Sequence, residues 1–391
     1  MTEPAMIKYI KRVFKEPNSS YFLFGPRGTG KSTMTVERHP DALLVDLRLA
    51  DSRYRFSANP DELKDLVMAQ PNNATIIIDE IQKVPDLLPI VHLLIEKKKG
   101  WKFILTGSSA RKLKRQGVDL LGGRALKKTL YPFIAFELKK LFSLSEALLY
   151  GLLPLRFGQK NPAETLAAYI SLYLEEEVKT EGLIRNYALF ARFLQTMSLS
   201  QGSILNTTNV ARECFVKRTT VNDWISILED LLIGYKIEVF ENRAKRSVSS
   251  HPKFYFFDAG VYHALRPKLV KDDHLSIEGI ALETLVMQHL VAWKDYSSTK
   301  NDIFFWRTKA NLEVDFIVFG ELGFWAIEVK NNSKVHTGDV KNLVEFKKDY
   351  PEATSILLYR GKEKIMKNGI LCLPCEDFLL TVEPNNPLYK I

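Results

Sequence analysis

Gly25-Pro26-Arg27-Gly28-Thr29-Gly30-Lys31-Ser32, with Thr33 next, decides the reading of the first third of the chain. The spacing is G-x-x-x-x-G-K-[ST], that of a phosphate-binding loop. The apolar run Tyr21-Phe22-Leu23-Phe24 before it reads as a buried parallel strand. The residues from Lys31 to Arg38 read as a short helix. Gly25, Gly28 and Gly30 let the backbone curl around an anion without Cβ clashes. Backbone N–H groups and the helix N-terminus then face the β- and γ-phosphates of a nucleotide. Lys31 adds a point charge to the same oxygens, and the Ser32 hydroxyl is suited to magnesium. A ligand-free glycine turn is the competing reading, and it leaves the preceding strand and the Lys-Ser pair unexplained.

Further along, Ala74-Thr-Ile-Ile-Ile-Asp79-Glu80 is an apolar strand ending in two acids. Asp79 is placed to hold magnesium, and Glu80 to orient and deprotonate an attacking water. Lys102 to Thr106 is the next strand. Thr106 or Ser108 at its end is positioned to sense a γ-phosphate, and helix capping by Ser108 or Ser109 is the alternative. Arg124 is a candidate arginine finger, with Arg111 the second candidate and a plain surface arginine the competing reading. Other expected elements are a strand at Ala42–Leu47, a helix at Asp61–Ala69 capped by Asn59, and a helix from Pro85 to Lys99.

The chain has 391 residues, 46% of them apolar, which suffices for two or three packed domains. A net charge of +9 favours an anionic partner such as nucleic acid. Three cysteines argue for a reducing compartment, and Cys372-Leu-Pro-Cys375 reads as two packed thiols rather than a zinc site. The N-terminus carries no secretory pattern, and no apolar run approaches a membrane span. A cytoplasmic protein without membrane contact is expected.

Residues 156–272 read as helical. A helix at Leu205–Cys214 capped by Thr207 or Thr208, a turn, a helix at Thr219–Leu232 and a hairpin give a winged-helix layout. Lys217, Arg218, Thr219, Thr220 and Asn222, with Arg243, Lys245 and Arg246 at the hairpin tip, suit nucleic-acid contact; domain packing is the competing use. Residues 273–391 carry Glu283 on a helix, Asp315 on one strand and Glu328-x-Lys330 on the next. Asp315 and Glu328, with Glu283, would hold magnesium, and Lys330 would position or deprotonate a water attacking a phosphodiester. A structural ion-pair cluster is the alternative.

As a set, Gly25-Pro-Arg, Ile78-Asp-Glu-Ile-Gln82, Leu105-Thr-Gly-Ser-Ser109, Leu130-Tyr-Pro-Phe133, Tyr173-Leu-Glu-Glu-Glu-Val178, Lys253-Phe-Tyr-Phe-Phe-Asp258 and Glu313-Val-Asp-Phe with Glu328-Val-Lys330 are specific. With them the whole chain resembles prokaryotic AAA-type ATPases that end in a restriction-endonuclease-like, PD-(D/E)XK domain of unassigned function. The resemblance implies an α/β fold: a P-loop AAA+ parallel sheet sandwiched by helices over 1–155, a winged-helix-like connector over 156–272, and the nuclease-like α/β domain over 273–391. It departs at Tyr150-Gly-Leu-Leu-Pro154, where relatives carry a Gly-Gly-Phe-Pro-like turn. The expected activity is magnesium-dependent ATP hydrolysis coupled to DNA engagement, in a homo-oligomer as AAA+ relatives often form. The alternative is a nucleotide-dependent switch with a catalytically inactive nuclease-like end.

Overall fold

The computed structural model describes residues 9–111, 113, 121–174, 186–241, 251–268 and 273–389. It resolves into two compact units. One spans Phe14–Tyr131 with Asp230–Leu232; the other spans Met1–Val13, Pro132–Glu229 and Ile233–Ile391.

In the first unit, β1 (Tyr21–Phe24), α1 (Lys31–Arg38), β2 (Leu43–Asp46), α2 (Ala50–Ala58), α3 (Glu62–Met68), β3 (Thr75–Asp79), α4 (Leu87–Glu96), β4 (Lys102–Thr106) and β5 (Leu126–Thr129) alternate along the chain. The strands form one sheet in the order β2-β3-β4-β1-β5, and every pairing in it is parallel. All four residues of β1 are buried, as a strand covered on both faces requires. Phe22 and Phe24, two apart, stack on one face at 5.5 Å. They join Ile76, Ile78, Phe103, Leu105, Leu87 and Val91 in one core. Asp61 rather than Asn59 occupies the cap position of α3, and its side chain makes no capping bond. Helix α2 was not anticipated; Phe56 is its one buried residue, too weak a periodic signal to read.

Because the strands are parallel, Phe24, Asp46, Asp79 and Thr106 end on the same edge. Strand β4 is inserted between β1 and β3, so Thr106 lies between the loop after β1 and the acid that ends β3.

The second unit contains α5 (Ala135–Leu138), α6 (Leu144–Tyr150), α7 (Pro162–Ala168), α8 (Tyr187–Leu199), α9 (Thr207–Cys214), α10 (Arg218–Asp230), β6 (Gly234–Val239), β7 (Lys253–Phe256), α11 (Ala259–Leu265) and α12 (His274–Tyr296). It continues with β8 (Asn301–Arg307), β9 (Glu313–Gly320), β10 (Gly323–Lys330), α13 (Lys341–Asp349), β11 (Thr354–Tyr359), β12 (Ile365–Lys367), β13 (Ile370–Pro374) and α14 (Cys375–Thr381). Its eight strands order as β12-β13-β11-β10-β9-β8-β6-β7. Aromatic rings fill one core against α13: Phe240, Phe324, Phe346 and Tyr350, with Phe346 and Tyr350 stacked at 4.6 Å.

Three expectations change here. The β6–β7 hairpin is not a free wing: β6 pairs in parallel with β8 through Glu238↔Phe304 and Val239↔Phe305, so the hairpin extends the C-terminal sheet. Helix α9 is capped by Asn206, whose side chain accepts the Asn209 N–H at 3.0 Å, not by Thr207 or Thr208. Helix α12 is long and apolar enough to span a membrane, with a window of mean hydropathy 1.2 of which 61% is buried inside the protein. It is apolar nearly all round because it is packed nearly all round. Glu175–Val178 of the Tyr173 motif, and Arg243, Lys245 and Arg246, lie outside the described residues.

Candidate functional site

The loop after β1 folds back on itself. Gly28 and Gly30 have φ of +81° and +84°, the left-handed region that side chains avoid. A Cβ on Gly25 would stand 2.3 Å from the Leu130 carbonyl oxygen. The Thr29 hydroxyl donates to the Pro26 carbonyl at 2.8 Å, closing the turn. Lys31 is buried, and its ammonium donates to the Gly25 and Pro26 carbonyls at 2.7 and 3.1 Å. It therefore lies across the loop that Arg27, Gly28 and Gly30 form, with Ser32 and Thr33 opening α1.

Ser32 donates into the Asp79 carboxylate, at 2.9 Å from one oxygen and 2.7 Å from the other. Thr106 donates to Asp79 Oδ1, and its hydroxyl accepts the Glu80 N–H at 3.2 Å. Glu80 itself is in the left-handed region at φ +63°, a conformation that costs a non-glycine residue energy and is over-represented at functional sites. That turn sends Glu80 away from the strand alternation. Its carboxylate accepts from the Gln82 amide at 2.5 Å, and the same amide reaches Ser108 Oγ at 3.4 Å. Thus Ser32, Asp79, Glu80, Thr106 and Ser108 are joined by hydrogen bonds at the end of the sheet, with Lys31 on the loop beside Ser32. Ser109 accepts from the Arg111 N–H at 3.3 Å.

Arg124 does not join this group. It precedes β5, whose Leu126 is in register with Tyr21, so it sits at the sheet edge opposite the loop. There it is half-exposed and pairs with Glu96 at 2.7 Å. Arg111 pairs with Asp230.

Two participants were not foreseen from sequence. Arg48 follows β2 and pairs with both Asp46 at 2.7 Å and Asp79 at 3.1 Å. Bonding to Arg48 holds the Asp46 carboxyl below the usual range. Gln82 is the other, and its Oε1 is buried with no hydrogen-bond partner among the described residues. Gln82 closes the quoted Ile78–Gln82 motif without a role having been read for it, and only the in-register pairing of Asp46 with Asp79 brings Arg48 near.

The second constellation lies in the other unit. Glu283, Asp315, Glu328 and Lys330 are gathered there, together with a residue that sequence reading left unassigned, Lys253. Its ammonium, 1% exposed, lies 2.6 Å from Glu313, 3.3 Å from Glu283 and 3.7 Å from Asp315. Burial pulls the Lys253 pKa down, but Glu283, Tyr255, Asp315 and Glu313 outweigh it and hold the group well above its ordinary value. Tyr255 donates to Glu283 as well. Glu283, expected beside Asp315 and Glu328, bonds Lys253 and Tyr255 in this arrangement. Burial raises the Glu283 carboxyl, Lys253 partly opposes it and Asp315 adds repulsion, which puts Glu283 at about 7.

Lys330 pairs with Glu328 at 2.6 Å, and Asp315 accepts the Val329 N–H at 2.8 Å. Burial, with Asp315 adding repulsion, pushes Glu328 up to about 8. Its second oxygen is buried without a hydrogen-bond partner among the described residues. A proton or one cation beside Asp315 would satisfy that oxygen. Among the described residues no three acidic, histidine or cysteine side chains are grouped to hold a metal by themselves.

Elsewhere two further segments are structural. Asp258, fully buried, caps α11 by accepting from Gly260 and Val261, and it accepts Leu152 N–H at 2.7 Å. A Cβ on Gly151 would fall 1.8 Å from its carboxylate, so the Tyr150-Gly151 turn is shaped by this aspartate. Cys372 within β13 and Cys375 at the start of α14 are both buried, and burial pushes Cys375 up to about 12.

Comparison with known proteins agrees with the first unit's geometry. Residues 17–139 match the AAA domain family, while 141–272 and 278–378 match two domains of unknown function, DUF8612 and DUF4143. An uncharacterized protein of Mycobacterium tuberculosis is 25% identical over 375 residues, covering 92% of this chain and 80% of its own length. An uncharacterized protein of Methanocaldococcus jannaschii is 24% identical over 337 residues, covering 78% of this chain and 73% of its own. A mitochondrial AAA-ATPase of Arabidopsis thaliana is 36% identical over 80 residues, 20% of this chain and 17% of that protein. Among solved structures, a signal transduction ATPase with numerous domains and a tetratricopeptide repeat sensor, from Pyrococcus horikoshii, aligns over 75% of this chain at 16% identity with a TM-score of 0.23. The chain spans about half of that protein, 49% of its length. The family match supports a nucleotide-binding P-loop ATPase of AAA type in the first unit.

Proposed function

We propose that the chain binds ATP with magnesium at the loop Gly25–Thr33 and hydrolyses it. The observation that carries this reading is the meeting of Ser32 and Asp79, the two oxygen donors such a site needs, at 2.7 Å across the end of the sheet. Magnesium, when bound, would neutralise charge on the β- and γ-phosphates, held by Ser32 and Asp79. Lys31 would release the Gly25 and Pro26 carbonyls to meet the phosphate oxygens. Glu80 would take the proton of the attacking water, and Thr106 would keep Asp79 oriented. Lys31→Ala, measured with a fluorescent ATP analogue and by phosphate release, should lose both binding and turnover. Unaltered turnover in that variant overturns the assignment.

For the second unit the proposal is a PD-(D/E)XK-like domain that engages DNA, with Asp315 and Glu328 as the magnesium-holding pair and Lys330 beside the attacked phosphodiester. The gathering of those three residues supports it. A specific observation favours a second reading: Lys253 already fills the carboxylate cluster with a buried ammonium. On that reading the domain is a catalytically inactive surface governed by the nucleotide state. DNA cleavage with magnesium or manganese separates the two. Cutting abolished by Lys330→Ala and by Asp315→Ala supports the nuclease; cutting that survives both, or no cutting at all, supports the switch.

The Arg124 position fits a role only across a subunit boundary of a homo-oligomer, because within its own chain it lies at the far sheet edge. Size-exclusion chromatography with and without ATP tests that, and a cytoplasmic location is part of the same proposal.

A further inference from the structure

Helices α9 and α10, strand β6 and the residues just before β7 line an open cavity of about 590 Å³ that neither constellation uses. Its size is that of a small-ligand site, which runs roughly 300–1,000 Å³. One part of its wall is apolar: Ile204, Leu205, Ile225 and Pro252. A second part offers amides and hydroxyls from Asn206, Thr207, Thr208, Asn209 and Asn222. A third is basic: Arg218 and Lys236, with the His251 ring beside them. None of the described lining residues is acidic. Glu229, outside the lining, pairs with Lys236 at 3.0 Å and offsets part of its charge.

These three surfaces are complementary to one kind of molecule. The apolar wall accepts the face of a planar ring, and base–side-chain packing of this sort is sequence-tolerant. Asparagine amides present donor and acceptor together, matching the edge of a base. Arginine and lysine meet a phosphate. Arg218 is held in place by one N–H donated from Nε to Thr207 Oγ1 at 3.1 Å, while a guanidinium carries five such donors. The fold fixes the apolar wall rigidly: Leu205 N–H donates to the Pro252 carbonyl at 2.8 Å, and Ile204 bridges to Lys253.

We propose that this cavity binds a nucleotide unit, its base against Ile204, Ile225 and Pro252 and its phosphate on Arg218, Lys236 and His251. The proposal does not rest on the ATPase reading, since the phosphate loop lies in the other unit. A free mononucleotide and one residue of a nucleic-acid strand offer the same chemistry. The site also has a consequence for the carboxylate cluster. The backbone lining the cavity at Pro252 continues directly into Lys253, so a bound nucleotide adjoins the segment that places the ammonium among Glu283, Glu313 and Asp315.

The test uses the full-length chain carrying Lys31→Ala, without magnesium, so that the phosphate loop does not contribute. Three probes are titrated by calorimetry: adenosine monophosphate, inorganic phosphate and a single-stranded oligothymidine. Saturable binding of the monophosphate is expected, weakened about tenfold or more by Arg218→Ala and separately by Asn222→Ala, with inorganic phosphate binding more weakly than the nucleotide. Tight oligothymidine binding that shows the same sensitivity, with competition from the monophosphate, identifies the strand as the source and also supports the site. Both side chains stand at the solvent-facing start of α10, and unchanged thermal melting of Arg218→Ala and Asn222→Ala confirms that folding is not what is read. Failure of both the monophosphate and the oligonucleotide to bind overturns the proposal. So does binding unmoved by either substitution.

Discussion

Ser32 and Asp79 are 47 positions apart in the chain, yet the serine hydroxyl bonds both oxygens of the aspartate, at 2.9 and 2.7 Å. One opens the helix after β1 and the other ends β3, and the inserted strand β4 sets the width between them. Thr106, at the end of that inserted strand, then bonds the same carboxylate. Both turnover predictions for the first unit come from this short chain of contacts.

Glu80→Gln keeps the size of the side chain and its contact with Gln82 while removing the base. Nucleotide affinity should stay near the parent value and turnover should fall by about 10²–10⁴. Phosphate-release kinetics alongside equilibrium binding would show it, and parent-like turnover would take Glu80 out of the proposed role.

Thr106→Val removes a donor to Asp79 and the acceptor of the Glu80 N–H without changing volume. A hydrogen bond to a charged group is worth about 1.5–3 kcal/mol, so turnover should drop about tenfold or more. A drop in Km alone, with kcat intact, would argue against the positioning role.

Glycine positions give stability tests in both units. Gly25→Ala sets a Cβ against the Leu130 carbonyl, and Gly151→Ala drives one into the buried Asp258 carboxylate. Neither partner can withdraw, the first being backbone and the second held by three N–H donors. Each substitution should cost about 2 kcal/mol or more, read as a shifted urea midpoint. Midpoints within experimental error of the parent would contradict the packing at those turns.

The buried titrating groups give the second unit a pH profile. Glu328 lies at about 8 when folded against an ordinary 4.5, and Glu283 shifts in the same sense. A carboxyl raised by folding contributes its stability below 4.5 and loses it as pH climbs through about 8. Melting temperature should therefore decline from pH 5 to 8.5, with a shallower decline in Glu328→Gln. His289 has the opposite sign. Its Nε2 accepts the Ala135 N–H, Nδ1 donates to the Leu285 carbonyl, and burial lowers it to about 4 from 6.5. Its contribution is complete above 6.5 and disappears as pH falls through about 4. A flat calorimetric profile over both ranges would refute the protonation states assigned to these residues.

Much of the first unit was legible because its signals are local. The strand at Tyr21–Phe24 and the helix at Lys31–Arg38 have the bounds that the residues suggest, since glycine conformation and apolar runs act over a few positions. The strand ending in Asp79 and the E-x-K strand of the second unit were readable for the same reason. The hairpin β6–β7 was misassigned because period-two patterning says that a strand exists, not which sheet receives it.

By itself, then, the order of residues determined the elements, the phosphate-loop geometry and the identity of the acids, because backbone sterics and hydrophobic periodicity are properties of short stretches. Tertiary structure alone decided who meets whom. It put Arg48 and Thr106 on Asp79, carried Arg124 to the opposite edge, and buried Lys253 among carboxylates from α12 and β9. Those outcomes depend on strand order and on desolvation, which favours any arrangement that pairs a buried charge, whatever its distance along the chain.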